Sequence, residues 1–509
     1  MVQPMSFFRR HPKTAPLLVY FLSLCYLVFL VSSTQPGIFF SGDGGMKFIV
    51  VKQLQTGHGF KYLYLPQPDW VHKIWQSGYF PFGSPFVYPS PNGNLFSFPP
   101  YFQLVSAGFY HMFGYSGLYI LPVGSAVVLW LVMIGLLRGA GVTEGVIAVL
   151  LFLLVFCSPL TLYGAAYWEH MPAVLLLCGG SAFILRSGRG PFVAAVLGLL
   201  AGLAVWFRPE AIVLNFCYGI AAAFLFWRRR EKSCLFFLGG LIVPVLGFLA
   251  VNQYEFGSLL GVHSYQVLQE RGILYKIGRG CKNLFLVNWT SVCYFPFLVI
   301  VPLVVYGWWK GRIALDLRAG LLFCIILAFC VLTPFFLPND GGMQWGARYF
   351  LPVIPIFLLA VALSGGRLGL LGRVHWPGLV AALLILGAGY AFVLNSFFGG
   401  VEKLRQANFD RVKPAMEFVK QQPGNVIVVG SSYIPMEMGS LFDEKYFFLV
   451  ERDSSLVVLH RLLKQQNIHN YLYINQQDSS LGLPNLLMGG GSGLVRRGNY
   501  YFARYAVPD

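Results

Sequence analysis

Apolar runs of about 15–20 residues recur along most of this chain. A run of that length can cross a bilayer as a helix. Eleven candidates lie near Ala15–Val31, Leu118–Leu137, Val146–Leu162, Met171–Leu185, Phe192–Phe207, Ala211–Trp227, Cys234–Val251, Ser291–Trp309, Ala319–Leu337, Phe350–Leu363 and Pro377–Leu394. With 56% of its 509 residues hydrophobic and only 11% charged, the chain carries too little charge to cover a soluble surface of that size. The expectation is a polytopic α-helical membrane protein. A net charge of +17 invites a nucleic-acid partner. Most Lys and Arg, however, lie in short loops between apolar runs, so the expected partner is the lipid bilayer. The nine cysteines fall mostly inside those runs, as small apolar residues. Only Cys281 and Cys293 could approach an oxidising face, and no disulfide framework is visible.

The basic loops set an orientation. Arg9, Arg10 and Lys13 precede the first run without a convincing cleavage site, which reads as an uncleaved first span. With a cytoplasmic N-terminus, the even-numbered loops are cytoplasmic too. They carry Arg138; Arg186 and Arg189; Arg228–Arg230 and Lys232; Lys310, Arg312 and Arg318; and Arg367 and Arg373, as the positive-inside rule requires. Of the ten acids before residue 400, Glu144, Glu231 and Asp316 fall inside; Asp43, Asp69, Glu169, Glu210, Glu255, Glu270 and Asp340 fall outside. Few lie in mid-span, where an ion-coupled carrier needs ionisable groups. The polar chemistry gathers at the outer surface, which favours an extracytoplasmic enzyme over the alternative, a multipass lipid or polysaccharide transporter or flippase.

The outer segments hold the candidate residues. The first, residues 32–117, opens on "SGDGG" and is rich in Tyr, Phe, Trp, Pro and Gly. Asp43 there is either a helix cap or a chemical group. The stretch Met46–Gln55 reads as a helix lying on the membrane surface, with Lys47 and Lys52 off its apolar face. "YGAAYWEHMP" sets Glu169 and His170 among aromatic rings, which suits a sugar or a plain interfacial anchor. "WFRPEA" sets Arg208 near Glu210: the two could pair, or Arg208 could hold phosphate with Glu210 orienting it. The loop after Val251 is basic, with Arg271, Lys276, Arg279 and Lys282, and could help hold an anionic headgroup. "LPNDGGMQWGARYFLP" gathers Asp340, Gln344, Trp345 and Arg348 at a helix entrance, where a guanidinium fork suits a phosphate and glycines admit close approach.

From Val401 the polar content rises. Asn425–Val429 reads as a strand, Ser455–Gln466 as a helix, and "HNYLYIN" and "NYYFARYAV" as strands. The expected organisation is a membrane part over 1–400 and a small α/β domain over 401–509.

"SGDGG", "YWEH", "FRPE" and "GGMQWGARYFLP", in that order across many spans, resemble the GT-C superfamily of integral-membrane glycosyltransferases, near bacterial relatives of protein O-mannosyltransferase and the lipid A aminoarabinose transferase. The resemblance covers about 400 residues. It implies a GT-C-like fold in the bacterial inner membrane, with the C-terminal domain periplasmic. It implies a polyprenyl-phosphate-linked sugar donor, a periplasmic acceptor (lipid, glycan or protein) and inversion in a single displacement. The acids are scattered among loops, so no metal site is expected, and no cofactor. Asp43 would be the general base. Arg348, then Arg208, with Lys47 or Lys52 as further possibilities, would meet the leaving phosphate. Glu169 and His170 would shape the sugar or acceptor site. Gly44 follows Asp43 where protein mannosyltransferases carry a Glu, a departure that bears on whether the acceptor is a protein.

Overall fold

The computed structural model of the protein describes residues 14–186, 190–262, 264–265, 275, 278, 281–282, 294–336, 345, 348–364, 377–476 and 491–507. The chain divides into two compact units. One joins Met1–Val31 to Tyr119–Glu402; the other joins Ser32–Leu118 to Lys403–Asp509.

The first unit is helical. Its helices, from Thr14–Ser32 through Pro191–Phe207, Ala211–Arg229 and Ser233–Phe256 to Pro377–Val393, coincide with the apolar runs of the sequence. Among the described residues, six helical stretches are long and apolar enough to cross a membrane, and five further apolar helices are shorter. Their outward flanks are apolar: Leu17, Phe21, Leu246 and Ile385 are each more than half exposed, a surface that only hydrocarbon covers at low cost. Pro191 starts its helix after Gly190, where a missing N–H is harmless. Arg230 closes Ala211–Arg229 in the left-handed region.

Small residues hold this unit together. The helices Pro191–Phe207 and Ser233–Phe256 lie backbone against backbone. A Cβ on Gly198 would overlap the Phe237 carbonyl oxygen, and one on Gly240 the Ala195 carbonyl oxygen. Without a hydrophobic force between helices in lipid, such close approach supplies the packing energy. Gly198→Val is therefore expected to lower stability by about 1–3 kcal/mol, read as an earlier midpoint in SDS-driven unfolding. An unchanged midpoint contradicts the packing described.

The second unit carries both sheets. A hairpin pairs β1 (Val87–Ser90) with β2 (Gly93–Phe96). A five-stranded mixed sheet has the order β4-β3-β5-β7-β6, with β3 (Val426–Val429), β4 (Tyr446–Leu449), β5 (Asn470–Gln476), β6 (Gly491–Arg497) and β7 (Tyr500–Ala506). The parallel pairs β3–β4 and β3–β5 need crossovers, and the helices Tyr433–Glu437 and Asp453–Gln465 lie in them. β3, "VIVV", is buried throughout, as a strand covered on both faces must be. β4 is an edge strand. The segment 32–118 reaches it and the helix that follows it: Trp75 Nε1–H donates to the Phe447 carbonyl of β4 at 2.9 Å, and Tyr79 Oη donates to the Ser455 carbonyl of the helix Asp453–Gln465 at 2.7 Å.

One apolar core runs through the unit, from Ile38, Met46 and Ile49 to Ile427, Phe448 and Tyr473. The helix Gly42–Gln55 therefore has a different setting from the membrane-surface helix expected for it. Ten of its fourteen residues are buried, and Met46, Ile49 and Val50 pack into the core shared with the tail. Its amphipathic pattern is weak because protein, not lipid headgroups, covers it.

Candidate active site

In the first unit, two short turns bring separated sequence motifs together. The helix Leu160–Ala165 stops as Ala166 turns extended, and Glu169 becomes the residue that precedes helix His170–Leu185. Arg208 follows Pro191–Phe207 in an extended conformation, as a residue before proline prefers. Glu210 then precedes Ala211–Arg229. The result is a buried charge network. Arg208 Nη1 donates to Glu169 Oε1 at 2.9 Å, and Arg208 Nη2 donates to Glu210 Oε1. The side chains of Arg208, Glu169 and Glu210 are 14%, 4% and 11% exposed. Burial alone would pull Arg208 below the ordinary guanidinium value; Glu210 and then Glu169 outweigh it and hold it above.

Arg348 lies beside this network on the single turn Arg348–Phe350 and is 8% exposed. Its guanidinium is 5.7 Å from the centre of the Trp168 ring and 5.4 Å from that of Tyr349. Arg208 is 5.5 Å from the same Tyr349 ring. One tyrosine thus serves two cations, a contact worth about 0.5–2 kcal/mol each when partly desolvated. Among the described residues, two guanidiniums and two carboxylates meet here, and their formal charges cancel. The second oxygen of Glu210 is buried and has no hydrogen-bond partner among the described residues, a costly state for a carboxylate. His170, Arg208, Glu210, Phe329, Arg348 and Tyr349 line one small cavity.

An aromatic layer supports these groups. Tyr163 lies 5.1 Å from Trp168 and 5.0 Å from His170, centre to centre, and its hydroxyl donates to the Trp345 carbonyl at 2.9 Å. Trp345 Nε1–H in turn donates to Asn395 Oδ1 at 3.1 Å, and the Asn395 amide donates to the Tyr294 and Ala391 carbonyls at 3.0 and 2.9 Å. Tyr349 and Asn395 are absent from the residues that sequence reasoning singled out. An asparagine directly after the last apolar run was the available signal for Asn395.

Of the sequence candidates, Glu169, His170, Arg208, Glu210 and Arg348 therefore come together within the first unit. Asp340 and Gln344 lie outside the described residues, as do Arg271, Lys276 and Arg279. Asp43 and Lys47 belong to the second unit. Asp43 is half-buried in the first turn of Gly42–Gln55, and Ser41, not Asp43, occupies the N-cap position. Lys47 is buried, its ammonium 4.9 Å from the Phe98 ring centre. Lys52 pairs with Asp443 of the tail. Among the described residues, no group of three or more His, Cys, Asp or Glu could hold a metal ion.

No family model and no curated protein sequence matches the chain. Solved structures do. ArnT from Cupriavidus metallidurans bound to undecaprenyl phosphate is similar over 96% of this chain and 97% of its own, at 13% identity and a TM-score of 0.52. The apo state of the same protein gives 12% identity, the same coverage and a TM-score of 0.51. The oligosaccharyltransferase of Archaeoglobus fulgidus tethered with an acceptor peptide aligns over 92% of this chain and 69% of that one, at 11% identity and a TM-score of 0.47. At such identities the likeness is one of fold.

Proposed function

We propose that this chain, which has the fold of the GT-C membrane glycosyltransferases, is an inverting transferase that moves a sugar from a polyprenyl-phosphate carrier to a periplasmic acceptor. The observation that carries the reading is the buried Arg208–Glu169–Glu210 network with Arg348 on the faces of Trp168 and Tyr349. Buried cations beside carboxylates and aromatic rings, in a unit whose flanks are apolar, suit a ligand with a lipid tail, a phosphate and a sugar. The ArnT structure holds undecaprenyl phosphate, a carrier of that chemistry.

In this reading Asp43 takes the proton from the acceptor hydroxyl, or orients an acceptor amine. The acceptor's lone pair forms the new bond to the anomeric carbon. The bond from that carbon to the phosphate oxygen breaks, and its electron pair stays on the phosphate, which gains one negative charge. A single displacement inverts the anomeric centre. Arg348, over the rings of Trp168 and Tyr349, takes the growing phosphate charge, and Arg208 holds the neighbouring carboxylates in place. The unpartnered Glu210 oxygen accepts a sugar hydroxyl, and His170 and Trp168 bound the ring. The positive-inside pattern supports eleven crossings of the bacterial inner membrane, a cytoplasmic N-terminus and a periplasmic tail.

Undecaprenyl phosphate at 100 times its Kd is expected to stabilise the purified protein by about 2.7 kcal/mol, seen as a raised thermal midpoint in detergent. Undecaprenol, which lacks the phosphate, is expected to have little effect. Equal shifts from both, or none from either, contradict a phosphate site.

A further inference from the structure

Gly45, two residues after Asp43, has a structural reason that lies in the tail. A Cβ on Gly45 would overlap the Met436 carbonyl oxygen, and a Cβ on Gly439 would stand 2.8 Å from the Gly45 carbonyl oxygen. The first turn of the Asp43 helix and the segment Met436–Gly439 therefore touch backbone to backbone, with no side chain able to come between. Helix propensity opposes glycine at such positions, so the contact, not the helix, accounts for Gly45.

The same tail segment is anchored on its other side. Both oxygens of Glu437 are engaged: Arg411 Nη1 donates to Oε1, and Tyr500 Oη donates to Oε2. The side chains of Arg411 and Glu437 are 11% and 6% exposed. Arg411 Nη2 also reaches the Phe40 carbonyl at 3.5 Å, just before the Asp43 helix begins. Tyr500 opens β7, an inner strand of the five-stranded sheet. A path of direct contacts thus runs from the sheet through Tyr500, Glu437 and Met436 to the turn that carries Asp43. A buried ion pair contributes little net stability over apolar residues of the same size, but a fully bonded one admits few alternative geometries.

We infer that Glu437 is a positioning residue, which through its bonds to Arg411 and Tyr500 and the Met436–Gly45 backbone contact sets where the Asp43 carboxylate stands. The tail is then part of the catalytic apparatus rather than an appendage. The inference rests on the base role proposed for Asp43. Misplacing a reacting group by about 1 Å can cost on the order of 100-fold in rate.

The test uses the full chain in nanodiscs with a radiolabelled undecaprenyl-phosphate sugar and saturating acceptor from an envelope extract. Glu437→Gln and Tyr500→Phe are each expected to lower kcat by about 10–100-fold, leave the donor KM within about 2-fold, and keep the protease resistance of the parent. Should Glu437→Gln fail to fold, Tyr500→Phe is read by the same criteria, because it removes one hydroxyl, adds no bulk and leaves the Arg411–Glu437 pair in place. A cycle separates positioning from plain structural support: once Asp43→Glu has displaced the carboxylate, adding Glu437→Gln or Tyr500→Phe is expected to cost no more than about 3-fold. Losses that multiply in the double variants, or parental kcat in the single ones, overturn the inference. If Asp43→Asn is inactive while Glu437→Gln and Tyr500→Phe are fully active, only this inference falls. If Asp43→Asn is fully active, the base role falls and this inference with it.

Discussion

In Asp43→Asn protein, sugar transfer at saturating donor falls by about 100- to 10,000-fold, while the thermal midpoint stays near that of the parent. The substitution keeps shape and hydrogen-bonding reach and removes only the ability to take a proton. Asp43 sits half-buried in the first turn of Gly42–Gln55, where the helix dipole favours negative charge. It does not occupy the N-cap, so a capping role does not account for it. Initial rates paired with a melting curve separate the two effects. Near-parental turnover removes Asp43 from the mechanism, whereas a lost rate that tracks a lost fold assigns it to structure.

Arg348→Ala carries the second large effect, a fall in kcat of about 100- to 1,000-fold. The charge that appears on the departing phosphate exists only as the bond breaks, so a group that meets it there acts on kcat more than on KM. Arg348→Lys is expected to recover part of the loss and not all of it. Lysine keeps the charge but lacks the planar fork and the flat face that lies over Trp168 and Tyr349. Equal activity of the lysine variant and the parent would reduce Arg348 to a point charge. Full activity of the alanine variant would remove it from the phosphate.

The parts of this protein that could be read from its sequence are those set by local composition. The apolar runs coincide with helices because eighteen or so apolar residues have one low-cost conformation in hydrocarbon. β3, β5 and β7 were legible from their apolar and aromatic content; β4, "YFFL", as short as β3, was not read as a strand, and β6, "GSGLVRR", begins on glycines. The proximity of Arg208 and Glu210 is local, and their pairing could be foreseen as one of two possibilities. That Glu169 shares the same guanidinium depends on how two helix ends meet, 39 residues apart in sequence. The setting of the Asp43 helix was the least legible feature. Its faces are covered by tail residues such as Met436 and Met438, nearly 400 positions away, and no local pattern records a contact of that range. Lys47 illustrates the consequence: a cation expected off the apolar face is buried over Phe98.

The central claim is that this chain breaks the bond between a sugar and its lipid phosphate. Protein in nanodiscs, given a donor labelled at the anomeric carbon and an envelope extract as acceptor source, tests it in one measurement of both products. The account predicts one polyprenyl monophosphate released for each sugar transferred, with the anomeric configuration inverted. Donor recovered intact, or moved across a sealed bilayer with its sugar still attached, would contradict it.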